Sequence, residues 1–388
     1  MFLTHLYKIC FVNQYASFCI YICMRKFSKY IINKDNLEYN VSLIKRLLKN
    51  KVKLCAVVKA DAYGIGVDNV CPVIGDYVDY YAVSNVDEAL ELRNLGTTLE
   101  VLILGIVPLD SVDICAKNNI TIQISSYDYI KGVLNNLHSS IKVHIAVNTG
   151  LNRYGIKTLK EMQKILGLID ANKDKINLTG IFTHFATKSN DIEYMLIQKD
   201  IFSDYCRLVP NNCIKHCANS FATLYSSTMQ MDMVRVGANL YGDVRAEKLP
   251  LKDVVSITSE IVNIVSVKKG QTVGYDRTFT APNNCKIAVI PLGYADGINR
   301  KLSNRYHVLV NGMCANIVGN ICMDCLMIDV TNIPNVYIGT EVVILGSQYG
   351  KTITLMDMAK VLSTSPYDVL LGLRKKRMEV VIKSKDCK

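Results

Sequence analysis

Leu54-Cys55-Ala56-Val57-Val58-Lys59 is a short apolar run that closes on a lysine, and seven more short β-type runs follow it at regular spacing. They cover residues 79–84, 100–105, 120–125, 141–147, 177–184, 213–218 and 232–236. Between them lie stretches with helical periodicity, such as 86–95, 127–137, 159–171 and 192–208. Eight βα units within about 200 residues predict a closed (β/α)8 TIM barrel in preference to an open doubly wound sheet.

Outward from that barrel, the pattern changes after about Glu247. Alternating β-type runs at 257–267, 286–290, 307–310, 316–318, 327–330 and 341–345 are bounded by turn pairs such as Lys269-Gly270, Asn283-Asn284 and Asn311-Gly312. The expected organisation is an extension at 1–24, an α/β barrel at 25–247 and a mainly β C-terminal domain at 248–388. A first strand at about 27–33 is open to either domain. Residues 1–23 are apolar but interrupted by Asn13 and Gln14, and they lack a small-residue cleavage site, so they read as an extended or misassigned start rather than a signal peptide; Met24 opens the part that resembles a domain.

The chain has 388 residues and a formal net charge of +11. Residues 1–34 carry five Lys/Arg and no acid, residues 351–388 carry nine against four, and the rest has 31 against 30. The body is therefore neutral and the ends are basic, which is not the footprint of a nucleic-acid-binding surface. Beyond the first two dozen residues no apolar run is long enough to span a bilayer. The 14 cysteines are too dilute for a disulfide scaffold. Cys322-Met323-Asp324-Cys325 has a metal-like spacing but no second pair to complete it, and Cys213 to Cys217 around His216 matches no common site, so no metal is expected.

A barrel of this kind presents its chemistry at the carboxyl ends of its strands. The runs end on, or lead into, Lys59, Asn148-Thr149-Gly150 with Arg153, His184, His216 with Asn219 and Ser220, and Arg235 with Gly237. A lysine closing an apolar strand is partly desolvated, which lowers its pKa and makes its amine a candidate nucleophile, or else it snorkels out of the barrel end. Ser220 before a helical run and Gly237 after the eighth strand suit a phosphate site, or serve only as an N-cap and a turn.

Ala56-Val57-Val58-Lys59-Ala60-Asp61-Ala62-Tyr63-Gly64 resembles the pyridoxal-phosphate lysine motif of alanine racemases. Asn148-Thr149-Gly150-Leu151-Asn152-Arg153-Tyr154-Gly155, Thr183-His184-Phe185-Ala186, Ala218-Asn219-Ser220, Val234-Arg235-Val236-Gly237 and Tyr241-Gly242 are similar to later barrel motifs of that family. Gly274-Tyr275-Asp276-Arg277-Thr278, Leu292-Gly293-Tyr294-Ala295-Asp296-Gly297 and Gly319-Asn320-Ile321-Cys322-Met323-Asp324 are similar to its β-domain signatures. The resemblance runs in order from about residue 25 to 380.

It implies a cytoplasmic racemase of alanine that uses pyridoxal 5'-phosphate, works as a homodimer with shared active sites, engages neither membrane nor nucleic acid, and makes D-alanine for the cell wall. Lys59 would hold the cofactor covalently and act as acid/base on one face of the substrate Cα; Tyr275, from the partner subunit, would serve the other face. Lowering a tyrosine pKa from near 10 to about 7 or 8 takes roughly 3 to 4 kcal/mol of phenolate stabilisation, which Arg153 and His184 would supply. Arg235 would meet the pyridine nitrogen, with His216 and Asn219 among the cofactor-binding residues. Tyr63, Ser220, Gly237, Ala238 and Tyr367 would contact the phosphate. Leu151, Arg153, Tyr294, Met323 and Asp324 would bind substrate, and for Met323 ordinary strand packing is the competing reading.

Three departures stand out. The family's carbamylated lysine, seven positions before the motif arginine, corresponds to Ala146; either an anion or water fills the place beside Arg153, a bound anion being the expectation, or Arg153 is held less firmly and turnover drops. Ile65 replaces the histidine usual after Tyr63-Gly64, and Arg374-Lys375-Lys376-Arg377-Met378-Glu379 replaces an arginine-proline-arginine end. The motifs leave room for a racemase of serine or of a basic amino acid, and for a cofactor carrier without turnover.

Overall fold

The computed structural model describes residues 7–13, 16–22, 25–187, 191–242 and 249–384. They separate into two compact units, one built from residues 36–252 and the other from the stretches up to Asp35 and from Asp253 on. Glu247, where the composition changes, lies outside the described residues.

Strands β1 (Tyr7–Asn13) and β2 (Ala16–Ile22) pair antiparallel as a hairpin, and β3 (Lys29–Asn33) leads into a helix at Lys34–Leu47. The 36–252 unit is the barrel. Its strands are β4 (Lys53–Val57), β5 (Tyr80–Val83), β6 (Glu100–Ile103), β7 (Ile120–Ile124), β8 (Ile141–Ala146), β9 (Ile176–Phe182), β10 (Ile214–His216) and β11 (Met233–Val236). All run parallel in the order β10-β9-β8-β7-β6-β5-β4-β11. The two end strands approach each other through the Asp232 N–H to Lys215 carbonyl (3.1 Å) and Arg235 N–H to Ala218 carbonyl (2.9 Å) hydrogen bonds, so the barrel is nearly closed.

Strand alternation sends one set of side chains to the barrel interior and the other to the surrounding helices. Cys55, Val57, Tyr80, Ala82, Leu102 and Met233 pack as one buried cluster. Helix starts are set by side-chain caps: Asn85, Ser126, Thr158 and Asp191 each accept a backbone N–H from the first turn that follows.

The second unit is mostly β. Its strands are β12 (Val255–Glu260), β13 (Asn263–Val267), β14 (Thr272–Val273), β15 (Phe279–Thr280), β16 (Cys285–Ile290), β17 (His307–Val310), β18 (Met313–Asn316), β19 (Leu326–Asp329), β20 (Glu341–Gln348), β21 (Lys351–Ile353) and β22 (Glu379–Lys383). One sheet orders β18-β17-β20-β12-β3-β22 with β21 beside β20, a second orders β13-β16-β19, and β14 pairs β15. The β3 strand is thus held between β12 and β22.

Three details differ from the sequence expectation. The run at 257–267 is two strands in different sheets, because Ile261 N–H bonds to Thr340 while Val262 N–H bonds to Val289. The run at 316–318 is mostly past β18, with Ile317 making only an isolated bridge to Ile328. Helical structure also returns late, at Leu355–Leu362 and Pro366–Gly372. The signals were local: a Thr354/Asp357 capping box and Ser365 capping a Pro-initiated turn.

Candidate active site

Lys59 lies two residues past the end of β4, at the head of an unusual turn rather than on the strand itself. Ala60, Asp61, Ala62 and Tyr63 all have left-handed backbone, with φ between 50° and 59°, and Gly64 follows at 82°. Such a conformation costs an L-residue roughly 1 to 2 kcal/mol. It persists because its ends are tied: Ala60 N–H donates to Glu88 Oε1 (2.9 Å), Gly64 N–H to the Ala60 carbonyl (2.8 Å), and Val67 N–H to Asp61 Oδ1 (2.9 Å). Glu88 is itself held by the Ser84 N–H and hydroxyl, both at 2.8 Å.

The Lys59 amine is pushed below its ordinary pKa, first by desolvation and then by the positive charge of Arg153, with Glu88 opposing. Arg153 is exposed and lies over the Tyr154 ring at 5.4 Å; Leu151, on the same loop, is half-buried.

The left-handed turn carries Tyr63 across to the end of β11. A Cβ on Gly237 would come within 2.6 Å of the Tyr63 hydroxyl and 3.2 Å of Val57 Cβ, so only glycine allows that approach. The Tyr63 ring packs on Tyr241 at 4.9 Å, and the Tyr241 hydroxyl donates to the Val57 carbonyl. Gly237 N–H donates to Ser220 Oγ at 3.1 Å. The helix cap here is Asn219, whose side chain accepts from Ala222 N–H, so Ser220 is the first helical residue and its hydroxyl serves Gly237 instead. The half-buried Ala238 follows Gly237.

Arg235 is 3 % exposed and carries its charge into the barrel with neutral partners. Its Nη2 donates to the Thr183 carbonyl (2.7 Å) and approaches His184 Nδ1 (3.4 Å); its Nη1 contacts His216 Nδ1 (2.7 Å) and the His216 carbonyl (3.1 Å). The guanidinium also sits 5.4 Å from the Phe182 ring centroid. Burial and the Arg235 charge together push His216 well below the ordinary histidine pKa.

The β unit gathers its own candidates separately. Tyr294 N–H donates to the Cys322 carbonyl and Ala295 N–H to Met323, while the Asn320 side chain donates to the Tyr275 carbonyl. Tyr275, Met323 and Tyr294 are 70 %, 58 % and 42 % exposed, and Asp324 is exposed beside them. Tyr367 belongs to the first turn of the 366–372 helix and is half-buried. Among the described residues no group of three or more His, Cys, Asp or Glu is placed to hold a metal ion, and no helix is long and apolar enough to cross a membrane.

Residues 32–245 match the alanine racemase N-terminal domain, and residues 254–382 match the alanine racemase C-terminal domain. The chain belongs to the alanine racemase family. "Alanine racemase 2" of Caldanaerobacter subterraneus subsp. tengcongensis is 38% identical over 371 residues, covering 90% of this chain and 94% of that protein. The solved alanine racemase of Clostridium difficile 630 is 32% identical, with a TM-score of 0.85 over 94% of this chain and 97% of that one. A histidine racemase from Leuconostoc mesenteroides subsp. sake has the same fold, at 27% identity and a TM-score of 0.83 over 93% and 99% of the two chains.

Lys59 and Arg235 lie in the stretches whose motifs resemble those of that family. Sequence reasoning missed the groups that hold them, Glu88 behind the lysine turn and Thr183 as an Arg235 acceptor; it also missed the fully buried Gln198, whose side chain donates to Thr149 Oγ1 and accepts from Ala186 N–H. Only Gln198 carried a signal, a polar residue at a buried position; Glu88 is half-buried, and Thr183 acts through its backbone carbonyl, which residue type does not report.

Proposed function

We infer that the chain is an alanine racemase, an isomerase that interconverts L- and D-alanine with pyridoxal 5'-phosphate as cofactor, and that it acts as a cytoplasmic homodimer supplying D-alanine for the bacterial cell wall. The observation that carries this reading is the grouping at one barrel end of an amine with a lowered pKa, a glycine-floored pair of hydroxyls and a buried arginine with neutral hydrogen-bond partners. The donor set fits the cofactor. Tyr63 and Ser220 hydroxyls with the Gly237 and Ala238 backbone suit a phosphate, and the close approach at Gly237 makes the floor that a Cβ would fill.

When bound at Lys59, pyridoxal phosphate supplies the electron withdrawal that acidifies the Cα proton of the amino acid. Lys59, less basic than an ordinary lysine, removes or returns that proton on one face. Tyr275 of the partner subunit serves the opposite face, and its high exposure on the β unit supports a role completed by a second copy. Met323, Tyr294 and Asp324 flank it and would shape the substrate entrance, while Arg153 and Leu151 would hold the substrate carboxylate end. Arg235 has donors only, so it cannot keep a pyridine nitrogen protonated as a carboxylate would. Electron withdrawal is thereby limited, which favours returning the proton over side reactions.

Purified protein should convert L-alanine to D-alanine, and faster than it converts enantiopure serine, lysine or histidine. It should also show a cofactor absorbance that disappears in Lys59→Ala. Absorbance without conversion would favour a carrier. The shared site has its own test: mixing inactive Lys59→Ala and Tyr275→Ala subunits should restore activity, because one active site of each heterodimer then carries both wild-type residues.

A further inference from the structure

Arg235 is the upper end of a buried chain of side chains that runs down the barrel interior. His216 Nδ1 is 2.7 Å from Arg235 Nη1, and His216 Nε2 is 2.9 Å from His144 Nδ1. Both imidazoles are completely buried. A guanidinium has donors and no acceptor, so His216 Nδ1 must accept. Its proton then sits on Nε2 and is donated to His144 Nδ1, and the proton of His144 sits in turn on Nε2. The donor at the head favours that direction, and His144 Nδ1, as the acceptor for the His216 Nε2 proton, holds it there.

Both rings are neutral, as this requires: burial first and the Arg235 charge second push His144 down to about 3. The barrel is shaped around His144. Gly180 on β9 has no side chain where a Cβ would come within 2.7 Å of the ring, and Tyr80 faces it with centroids 6.2 Å apart.

His144 Nε2 is a buried donor with no protein partner among the described residues. Gln123 Oε1 and Thr121 Oγ1 are buried with none either. Gln123 stands opposite His144 in the β7–β8 register, so the two side chains project to the same side of neighbouring strands, and Thr121 lies two residues earlier on that face. The amide of Gln123 is oriented by its Nε2, which donates to the Leu104 carbonyl at 2.6 Å and leaves Oε1 as the acceptor. One donor and two acceptors in a dry interior are the partners a single buried water needs.

We propose that His144 is a positioning residue for the reaction. Through a bound water held by Gln123 and Thr121, it fixes His216 in the tautomer whose Nδ1 accepts from Arg235, and so fixes the guanidinium. With no acceptor at position 144, His216 is free to carry its proton on Nδ1, where it would face the Arg235 N–H and turn the guanidinium away. The proposal rests on the functional reading above only for its effect on turnover. The tautomers are a property of the unloaded protein.

The test uses 15N-histidine-labelled full-length protein. In the unloaded wild type, side-chain nitrogen spectra should show both His216 and His144 protonated on Nε2 across neutral pH. A proton on Nδ1 of either ring overturns the proposal whatever the activity. In His144→Leu the His216 signal should lose that single tautomer, and in the cofactor-loaded enzyme kcat should drop about tenfold or more while KM for alanine changes less than about twofold. His144→Asn, whose amide oxygen can accept from His216 Nε2–H, should restore the tautomer and most of kcat. Gln123→Leu should shift the His144 Nε2 signal, and an unchanged signal overturns the water bridge. A His144→Leu enzyme with a lower melting temperature but wild-type kcat and an unchanged His216 tautomer makes His144 a packing residue and overturns the proposal. A wild-type protein that converts no alanine overturns the functional reading instead.

Discussion

Gly237→Ala tests the phosphate cradle most directly. The added methyl would meet Tyr63 Oη at 2.6 Å, Tyr63 Cζ at 3.1 Å and Val57 Cβ at 3.2 Å. Val57 is a buried strand residue and cannot retreat, so Tyr63 must move. Its ring is braced by Tyr241 and its backbone is held at φ 59°, which makes that movement costly. Overpacking of this kind costs about 1 to 3 kcal/mol of folding stability. Displacing one hydroxyl from a charged phosphate removes about 1.5 to 3 kcal/mol of binding, or roughly ten- to a hundredfold in Kd. The assay is an absorbance titration of unloaded protein with pyridoxal phosphate and, in parallel, with pyridoxal, which has no phosphate. The variant should lose affinity for the first and little for the second. Adding Tyr63→Phe, which removes the closest clashing atom, should recover part of the stability and none of the phosphate affinity. Equal losses for both ligands, or unchanged affinity for pyridoxal phosphate, would refute the cradle.

The lowered pKa of Lys59 predicts that its reaction with an amine-directed reagent in the unloaded protein has a midpoint below the ordinary lysine value. Arg153→Ala should raise that midpoint; no change would remove Arg153 as a cause. His144 and His216 are neutral when folded and basic when unfolded, so the unfolded chain binds more protons below pH about 6.5. Denaturant titrations should therefore show stability decreasing as pH falls from about 6.5 toward about 3, by up to about 1.4 kcal/mol per pH unit for each histidine, and His144→Leu should flatten the slope. Ala146 is buried and uncharged at the position the resemblance equates with a carbamylated lysine, so turnover should rise with chloride if an anion serves Arg153 in its stead. A chloride-independent rate, with no anion in a crystal structure at that place, would refute it.

The departures from expectation have a common physical origin. Alternation of apolar and polar residues reports that a segment is extended, and it reads the same whichever sheet receives the segment. Residues 257–267 therefore looked like one strand, although the backbone partners change at Ile261 and Val262. The helices at 355–372 were obscured for another reason: both are eight residues or shorter and begin on caps, whose signal is a few polar atoms rather than a periodic stripe.

What the sequence determined by itself was the repeat of βα units, the change to β-type runs, and the chemical groups at the strand ends, because side-chain periodicity and residue type are local properties. Lys59, Arg235 and Gly237 were legible in that way, since each follows or ends a short apolar run. Only the tertiary structure decided how those groups are held. The left-handed turn that brings Tyr63 over Gly237 depends on Glu88 from another βα unit, and the neutrality of His144 and His216 depends first on burial and then on a guanidinium from β11. Burial and hydrogen-bond direction belong to groups far apart in the chain. They come into being when the barrel brings those groups together.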